Sequence, residues 1–269
     1  MSMPTALSPP PPLKGFKLER KFLIELSIFL NYAYNYSTML ILDIILNIVF
    51  PVNCVSCGKG GSDLCIKCLS DSPPAERESP NWIFPLFDYR HPPIKKSIWL
   101  LKYKGKKRLA GVFAEILYGR MMEELSELSV INNFGEPILI PIPLSKRRYR
   151  ERGYNQAELI CRELMRLDSN NSNNNLRHGV DEKLERNFSL EKNILIKIKE
   201  TEHQANIKER RDRLKNLSDS FAVKNPELIK NKNIILIDDV LTTGATLTEA
   251  KKILKNSGAR KVIAFTIAH

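Results

Sequence analysis

The chain has no G-x-x-x-x-G-K-[ST] segment anywhere in its 269 residues, which argues against a P-loop nucleotidase. Histidine is scarce as well. The four at 91, 178, 203 and 269 share no metal-ligand spacing, and none is assigned a role. Acidic residues are outnumbered, 30 against 42 basic ones, for a formal net charge of +12. That excess attracts polyanions, either nucleic acid or phosphorylated small molecules, yet solvated basic faces account for it equally well. The first twelve residues lack the basic start of a secretory leader and carry four prolines at 9–12. A reducing, cytoplasmic setting is therefore expected. An uninterrupted apolar run of membrane length is also missing. Residues 22–50 come nearest, with charges only at Glu25 and Asp43, but Asn31, Tyr32, Tyr34, Asn35 and Tyr36 break them into two shorter pieces. Such pieces fit buried or interfacial helices better than a span, so no integral membrane role is expected.

What remains is enough chain for one sizeable α/β domain and a small appendage. Residues 1–37 read as a Pro-rich leader followed by an apolar helix, and 38–72 as a second helix leading into a four-cysteine knuckle. Residues 73–81, with prolines at 73, 74 and 80, read as a linker. The domain proper is expected over 82–269, with a disordered insertion near 169–193, where Ser169 to Asn175 holds five asparagines. Strands are expected at Phe84 to Tyr89, Pro137 to Leu144, Ile194 to Ile198, Asn233 to Ile237 and Lys261 to Ile267. Helices are expected at Ile94 to Tyr103, Arg108 to Leu125, Tyr154 to Leu167, Gln204 to Leu217 and Ala245 to Asn256. Alternation of this kind implies a mostly parallel central sheet with helices on its faces.

The most informative segment is Asp238-Asp239-Val240-Leu241-Thr242-Thr243-Gly244-Ala245-Thr246. The apolar run Ile234 to Ile237 before it suits a central strand, which delivers both acids to the carboxyl edge of the sheet, where open α/β sheets bind ligands. The hydroxyl-rich turn that follows opens a helix, and its N–H groups form an anion site. Acceptors for sugar hydroxyls or hydrated Mg²⁺ thus sit beside donors for a phosphate, a combination that suits a ribose 5-phosphate. The competing structural reading is a capped strand-to-helix turn, which needs neither the second acid nor the third threonine.

Cys54-x-x-Cys57 and Cys65-x-x-Cys68 bring four thiols to one point across a seven-residue spacer. Four thiolates suit a closed tetrahedral Zn²⁺ with a structural role, and an iron–sulfur cluster is the alternative. Two basic stretches stand out, one from Lys95 to Arg120 and the other formed by Lys146, Arg147, Arg148, Arg150 and Arg152. Arg152, shortly after a strand, is expected at the ligand edge. Tyr89, Trp99, Tyr103, Tyr149 and Tyr154 lie among these charges, either stacking on unpaired bases or belonging to the core.

The loop at Asp238 to Thr246 resembles that of the type I phosphoribosyltransferases. That resemblance implies ribose contacts, with Mg²⁺, for Asp238 and Asp239, and a 5-phosphate cradle at Thr242, Thr243, Gly244, Ala245 and Thr246. Further blocks resemble the ComF family: Pro141 to Leu144, Arg152-Gly153-Tyr154-Asn155-Gln156-Ala157, Leu101-Lys102-Tyr103-Lys104-Gly105, the four-cysteine knuckle, and Gln204 through Arg213 and Asn216 to Phe221. This resemblance adds Arg152, Asn155, Gln156, Gln204, Arg213 and Asn216 as ligand-edge candidates. It implies binding of phosphoribosyl pyrophosphate or a related phosphate, with a role in DNA uptake, single-stranded DNA handling and contact with competence proteins. An active transferase acting on a nitrogen nucleophile is the alternative. The sequence departs from the family pattern in its long leader, its Asn-rich insertion and one extra residue between Gln204 and Arg213, which would rotate a helix by about 100°.

Overall fold

A computed structural model describes residues 52–76, 79–176, 187–198 and 220–269. The leader, the two apolar helices expected before the knuckle, and the expected helix carrying Gln204, Arg213 and Asn216 lie outside the described residues. The described residues from 53 onward form a single compact unit.

In chain order the unit begins with a short helix α1 (Ile66–Ser70) in the knuckle and a strand β1 (Ile83–Phe87). Helices α2 (Pro92–Tyr103) and α3 (Leu109–Asn132) follow, then β2 (Ile138–Pro141), α4 (Lys146–Arg152) and α5 (Gln156–Leu176). The remaining elements are β3 (Ser189–Leu190), β4 (Leu195–Lys197), β5 (Phe221–Val223), β6 (Asn233–Val240), α6 (Ala245–Asn256) and β7 (Lys261–Ala268). Five strands make one sheet in the order β1-β7-β6-β2-β3, with every pair parallel. β4 and β5 pair antiparallel as a separate ribbon.

The expected α/β class is the one observed, and the reason lies in β6. Ile234, Ile235, Leu236 and Ile237 are all fully buried, because alternate residues feed two cores on opposite faces of the sheet. Ile235 and Ile237 join Phe113, Leu117, Ile160 and Leu164 of α3 and α5. Ile234 and Leu236 join Leu247, Ala250 and Leu254 of α6 and Phe221 of β5.

Two expected boundaries need correction. The segment read as a linker does not hold two bodies apart. Its Ala75 N–H donates to the Leu86 carbonyl at 3.1 Å, and the Asp88 N–H donates to the Pro73 carbonyl at 3.0 Å. It therefore runs back along β1, and prolines are tolerated on such an edge. The knuckle beyond it contributes Leu64 and Leu69 to the helical core. The expected insertion shrinks as well: α5 continues through the Asn-rich run to Leu176, and Ser189–Leu190 is a strand of the main sheet. Buried Asp168 organises this region. It accepts hydrogen bonds from the Asn187 backbone at 3.0 Å, the Asn187 side chain at 2.6 Å and the Tyr118 hydroxyl at 3.0 Å. These bonds, with Phe188 packed edge-on against Tyr118, outweigh the poor helix and strand propensity of the local sequence.

The strand order also determines where a ligand can sit. From β2 the chain passes through α4 and α5 to β3 on one side, whereas β6 passes through α6 to β7 on the other. The connections diverge between the adjacent carboxyl ends of β2 and β6, and doubly wound sheets open a crevice at such a switch point. Among the described residues, no helix is long and apolar enough to cross a membrane.

Candidate functional site

A cleft of about 200 Å³ opens at that switch point, lined by Ile142 to Ser145 after β2, by Asp238 to Val240 at the end of β6, and by Leu241, Thr242, Gly244 and Thr246 beyond it. Asp239 is 9% exposed. Asp238 keeps some exposure at the mouth, but protein surrounds its carboxyl group. Burial, then the neighbouring Asp239 charge, push its pKa up to about 7, against the opposing pull of the Asp239 N–H, Lys102 and Lys197. Asp239 instead has a close cation: the Lys102 ammonium lies 2.7 Å from its Oδ1.

The turn is built as expected. Gly244 takes φ +73, and a β-carbon there would meet only ordinary contacts, the nearest at 3.5 Å from Leu241. It is the left-handed backbone that calls for glycine, since other residues resist that region. The Gly244 carbonyl accepts the first helical bond of α6 from the Thr248 N–H at 2.8 Å. The α6 N-terminus therefore faces the cleft with N–H donors. The hydroxyl of half-buried Thr243 accepts weakly from the Ala245 N–H at 3.4 Å, and Ala245 is buried. Of the five expected phosphate contacts, Thr242, Gly244 and Thr246 line the cleft, while Thr243 and Ala245 support the turn.

Four cations complete the lining: Lys102, Arg148, Arg152 and Lys197. Arg148 and Arg152 come from α4, a helix not expected from the sequence, started by the Ser145 hydroxyl and ended by Gly153 at φ +76. Arg152 donates to the Gln156 side-chain oxygen at 2.7 Å, and its guanidinium lies 4.9 Å over the Tyr103 ring. Asn155 and Gln156 do not line the cleft. Asn155 starts α5, accepting from the Ala157 N–H at 3.0 Å and donating to the Ile142 carbonyl at 2.9 Å. Gln156 is fully buried behind Arg152. Both hold the cleft wall rather than line it. Tyr89, named from the sequence only as a stacking candidate, lines the cleft as well. Lys197 was not singled out by sequence, and Lys102 was noted only within the Leu101 to Gly105 block and the first basic stretch, with no ligand role, because nothing local separates it from the other lysines there.

The knuckle brings the four cysteine sulfurs within 4.8 Å of one another. Cys57 Sγ and Cys65 Sγ are 3.7 Å apart, close to the ~3.8 Å edge of a tetrahedron with Zn–S bonds of ~2.3 Å. Burial raises the Cys54 thiol, but the N–H groups of Cys57, Cys65 and Ser56 outweigh it and bring its pKa down to about 6. Cys68 goes the other way, to about 11: a bond from Ser56 lowers it, but the thiols of Cys65 and Cys57 raise it further. Thiols crowded this closely cannot all ionise without a cation among them. The donor set fits a structural zinc, which would be held by these four residues. The knuckle is tied to the loop between α2 and α3 by Asp63, whose side chain is 2% exposed and which pairs with Lys106 at 3.2 Å and Arg108 at 3.6 Å.

A fully parallel sheet with an acid pair and a Thr-Gly turn at its switch point defines a phosphoribosyltransferase-like protein, and residues 184–269 match the phosphoribosyl transferase domain model. Three relatives narrow this. The chain is 29% identical over 224 residues to Competence protein F of Haemophilus influenzae, covering 79% of this chain and 83% of that one. It is 27% identical over 198 residues to DNA utilization protein YhgH of Escherichia coli O157:H7, covering 74% of each. It is 31% identical over 171 residues to Competence protein ComFC of Streptococcus pneumoniae, covering 62% of this chain and 59% of that one. These relatives support a place in the ComF family, and the fold is that of a type I phosphoribosyltransferase.

Proposed function

We propose that the cleft binds phosphoribosyl pyrophosphate, or a closely related ribose phosphate, in a protein that serves DNA uptake or utilisation in the cytoplasm. The observation that carries this reading is the meeting of the Asp238–Asp239 pair, the N–H-rich start of α6 and four cations around one 200 Å³ space. Carboxylates accept from vicinal ribose hydroxyls, the α6 turn donates to a 5-phosphate, and the cations answer the diphosphate. The acid pair also supplies hard oxygen donors of the type Mg²⁺ takes, and the ion would neutralise diphosphate charge when bound. The DNA context comes from the relatives named for competence and DNA utilisation. Phosphoribosyl pyrophosphate with Mg²⁺ should raise Tm, and Asp238→Asn with Asp239→Asn should remove that rise. No rise in the unmutated protein would sink the ligand assignment. The same set of groups suits transfer of the phosphoribosyl moiety to a nitrogen nucleophile, which pyrophosphate release across a panel of acceptors would reveal.

Single-stranded DNA handling has its own support. Trp99, Tyr103 and Tyr149 are 46%, 52% and 51% exposed, and Lys104 lies 5.4 Å over the Trp99 ring. Exposed rings interleaved with cations are what a sequence-tolerant single-strand binder presents. Tyr154, also considered for stacking, is buried. Its hydroxyl donates to the Leu101 carbonyl, so it belongs to the fold. Affinity for an oligothymidylate should fall steeply with salt and weaken further in Trp99→Ala, Tyr103→Ala. Salt-insensitive binding would count against this role.

A further inference from the structure

The strongest ion pair in the cleft lies where a ribose hydroxyl would have to bind. Lys102 Nζ is 2.7 Å from Asp239 Oδ1, with side-chain exposures of 17% and 13%. Neither group is therefore well solvated, and water screens the pair poorly. The lysine is held in place by its helix. Ile94, Ile98 and Leu101 anchor α2 in the core at 0–1% exposure. The Leu101 carbonyl takes the Tyr154 hydroxyl, and the Lys104 N–H closes the helix end on the Leu100 carbonyl at 3.0 Å. With the backbone of residue 102 so fixed, only the flexible side chain can move.

A sugar hydroxyl that takes the Asp239 oxygen replaces a charge-assisted bond with a neutral one and leaves a poorly hydrated ammonium behind. That exchange is unfavourable unless the ammonium finds another anion nearby. The outcome then depends on what the ligand carries at C1. That carbon is bonded to C2, so a diphosphate on C1 lies immediately beside the 2-hydroxyl at the acid pair. Its oxygens fall within reach of a lysine displaced by a few ångströms. A ribose 5-phosphate without the diphosphate offers no such partner.

We infer that Lys102 is a specificity-determining residue, which occupies the acid pair in the ligand-free protein and moves to the C1 diphosphate on binding. It thereby selects ribose phosphates activated at C1 over those that are not. This inference rests on the cleft being a ribose phosphate site, and adds what the site demands of its ligand. A purely structural role would make Lys102 a fixed counterion whose loss weakens every ligand alike.

The two roles differ in the sign of one effect. Titration calorimetry of the full chain at fixed Mg²⁺ would compare phosphoribosyl pyrophosphate with ribose 5-phosphate in the wild type, Lys102→Ala and Lys102→Arg. In Lys102→Ala, affinity for phosphoribosyl pyrophosphate should fall at least tenfold, while affinity for ribose 5-phosphate holds or rises severalfold. Lys102→Arg should retain most of the wild-type preference and serves as a folded control if Lys102→Ala melts early. A parallel fall for both probes in Lys102→Ala, with the preference between them unchanged, overturns the inference but leaves the ribose phosphate reading standing. Binding of neither probe by the wild type overturns both.

Discussion

The knuckle and the cleft are both assembled from short motifs, yet the fold holds them in opposite ways. In the cleft, strand β6 and helix α6 are locked by two apolar cores, so the acid pair is presented whether or not a ligand is there. The burial of Asp238, and then its repulsion from Asp239, strain the folded state, as the raised pKa of Asp238 reflects. In the knuckle there is little local core beyond Leu64 and Leu69, and four thiols crowd one point. There a bound ion would be part of what holds the chain. One site is pre-formed at the expense of stability, the other is completed by its ligand.

The largest expected effect tests the second half of that contrast. Cys57→Ser with Cys65→Ser, or removal of metal by a strong chelator, should melt the knuckle. A structural zinc contributes several kcal/mol, and about 1 kcal/mol moves the Tm of such a domain by roughly 2–4 °C, so Tm should fall by on the order of 10 °C. Metal analysis should find about one zinc per chain; iron with sulfide would point to a cluster instead, and no metal at all would remove the distinction between the two regions.

The first half of the contrast is tested by pH. Asp238 holds its proton more tightly folded, with a pKa of about 7, than unfolded, at about 3.9. The folded state therefore binds more protons between these values, and the stability of the ligand-free protein should fall as pH rises from about 4 to about 7, then level off. Asp238→Asn should flatten that slope and raise Tm at pH 8 even as it weakens the ligand. Urea melts across this range would show it; an Asp238→Asn protein that is less stable at pH 8 would mean the carboxylate is supporting the fold.

The smallest effect concerns how the knuckle is attached. Asp63→Asn loses pairs with Lys106 and Arg108, whose side chains are 44% and 67% exposed. Solvent screening limits the cost to about 1–2 kcal/mol. Calorimetry should show Tm falling by a few degrees with zinc content unchanged; loss of zinc would mean that Asp63 shapes the metal site itself.

How legible each part was follows from the range of the interactions involved. The βαβ unit from Asn233 to Ala268 could be read closely, because its apolar run, Thr-Gly turn and amphipathic helix are all local patterns. Helix α4 was not read as a helix: five of its seven residues are basic, and no apolar period marks it. The Asn-rich stretch misled because Asp168 meets Asn187 across 19 residues, a contact no local window contains.

The sequence by itself determined the chemistry available: an acid pair before a hydroxyl-rich turn, four thiols at knuckle spacing, and an excess of positive charge. Each is legible because its residues sit within a few positions of one another. Only the tertiary structure decided which cations face that acid pair. Lys102 and Asp239 are 137 positions apart, and their 2.7 Å contact exists because α2 packs at the sheet edge where β6 ends. A charge among 42 basic residues stands apart only when the fold gives it a partner with little exposure to water.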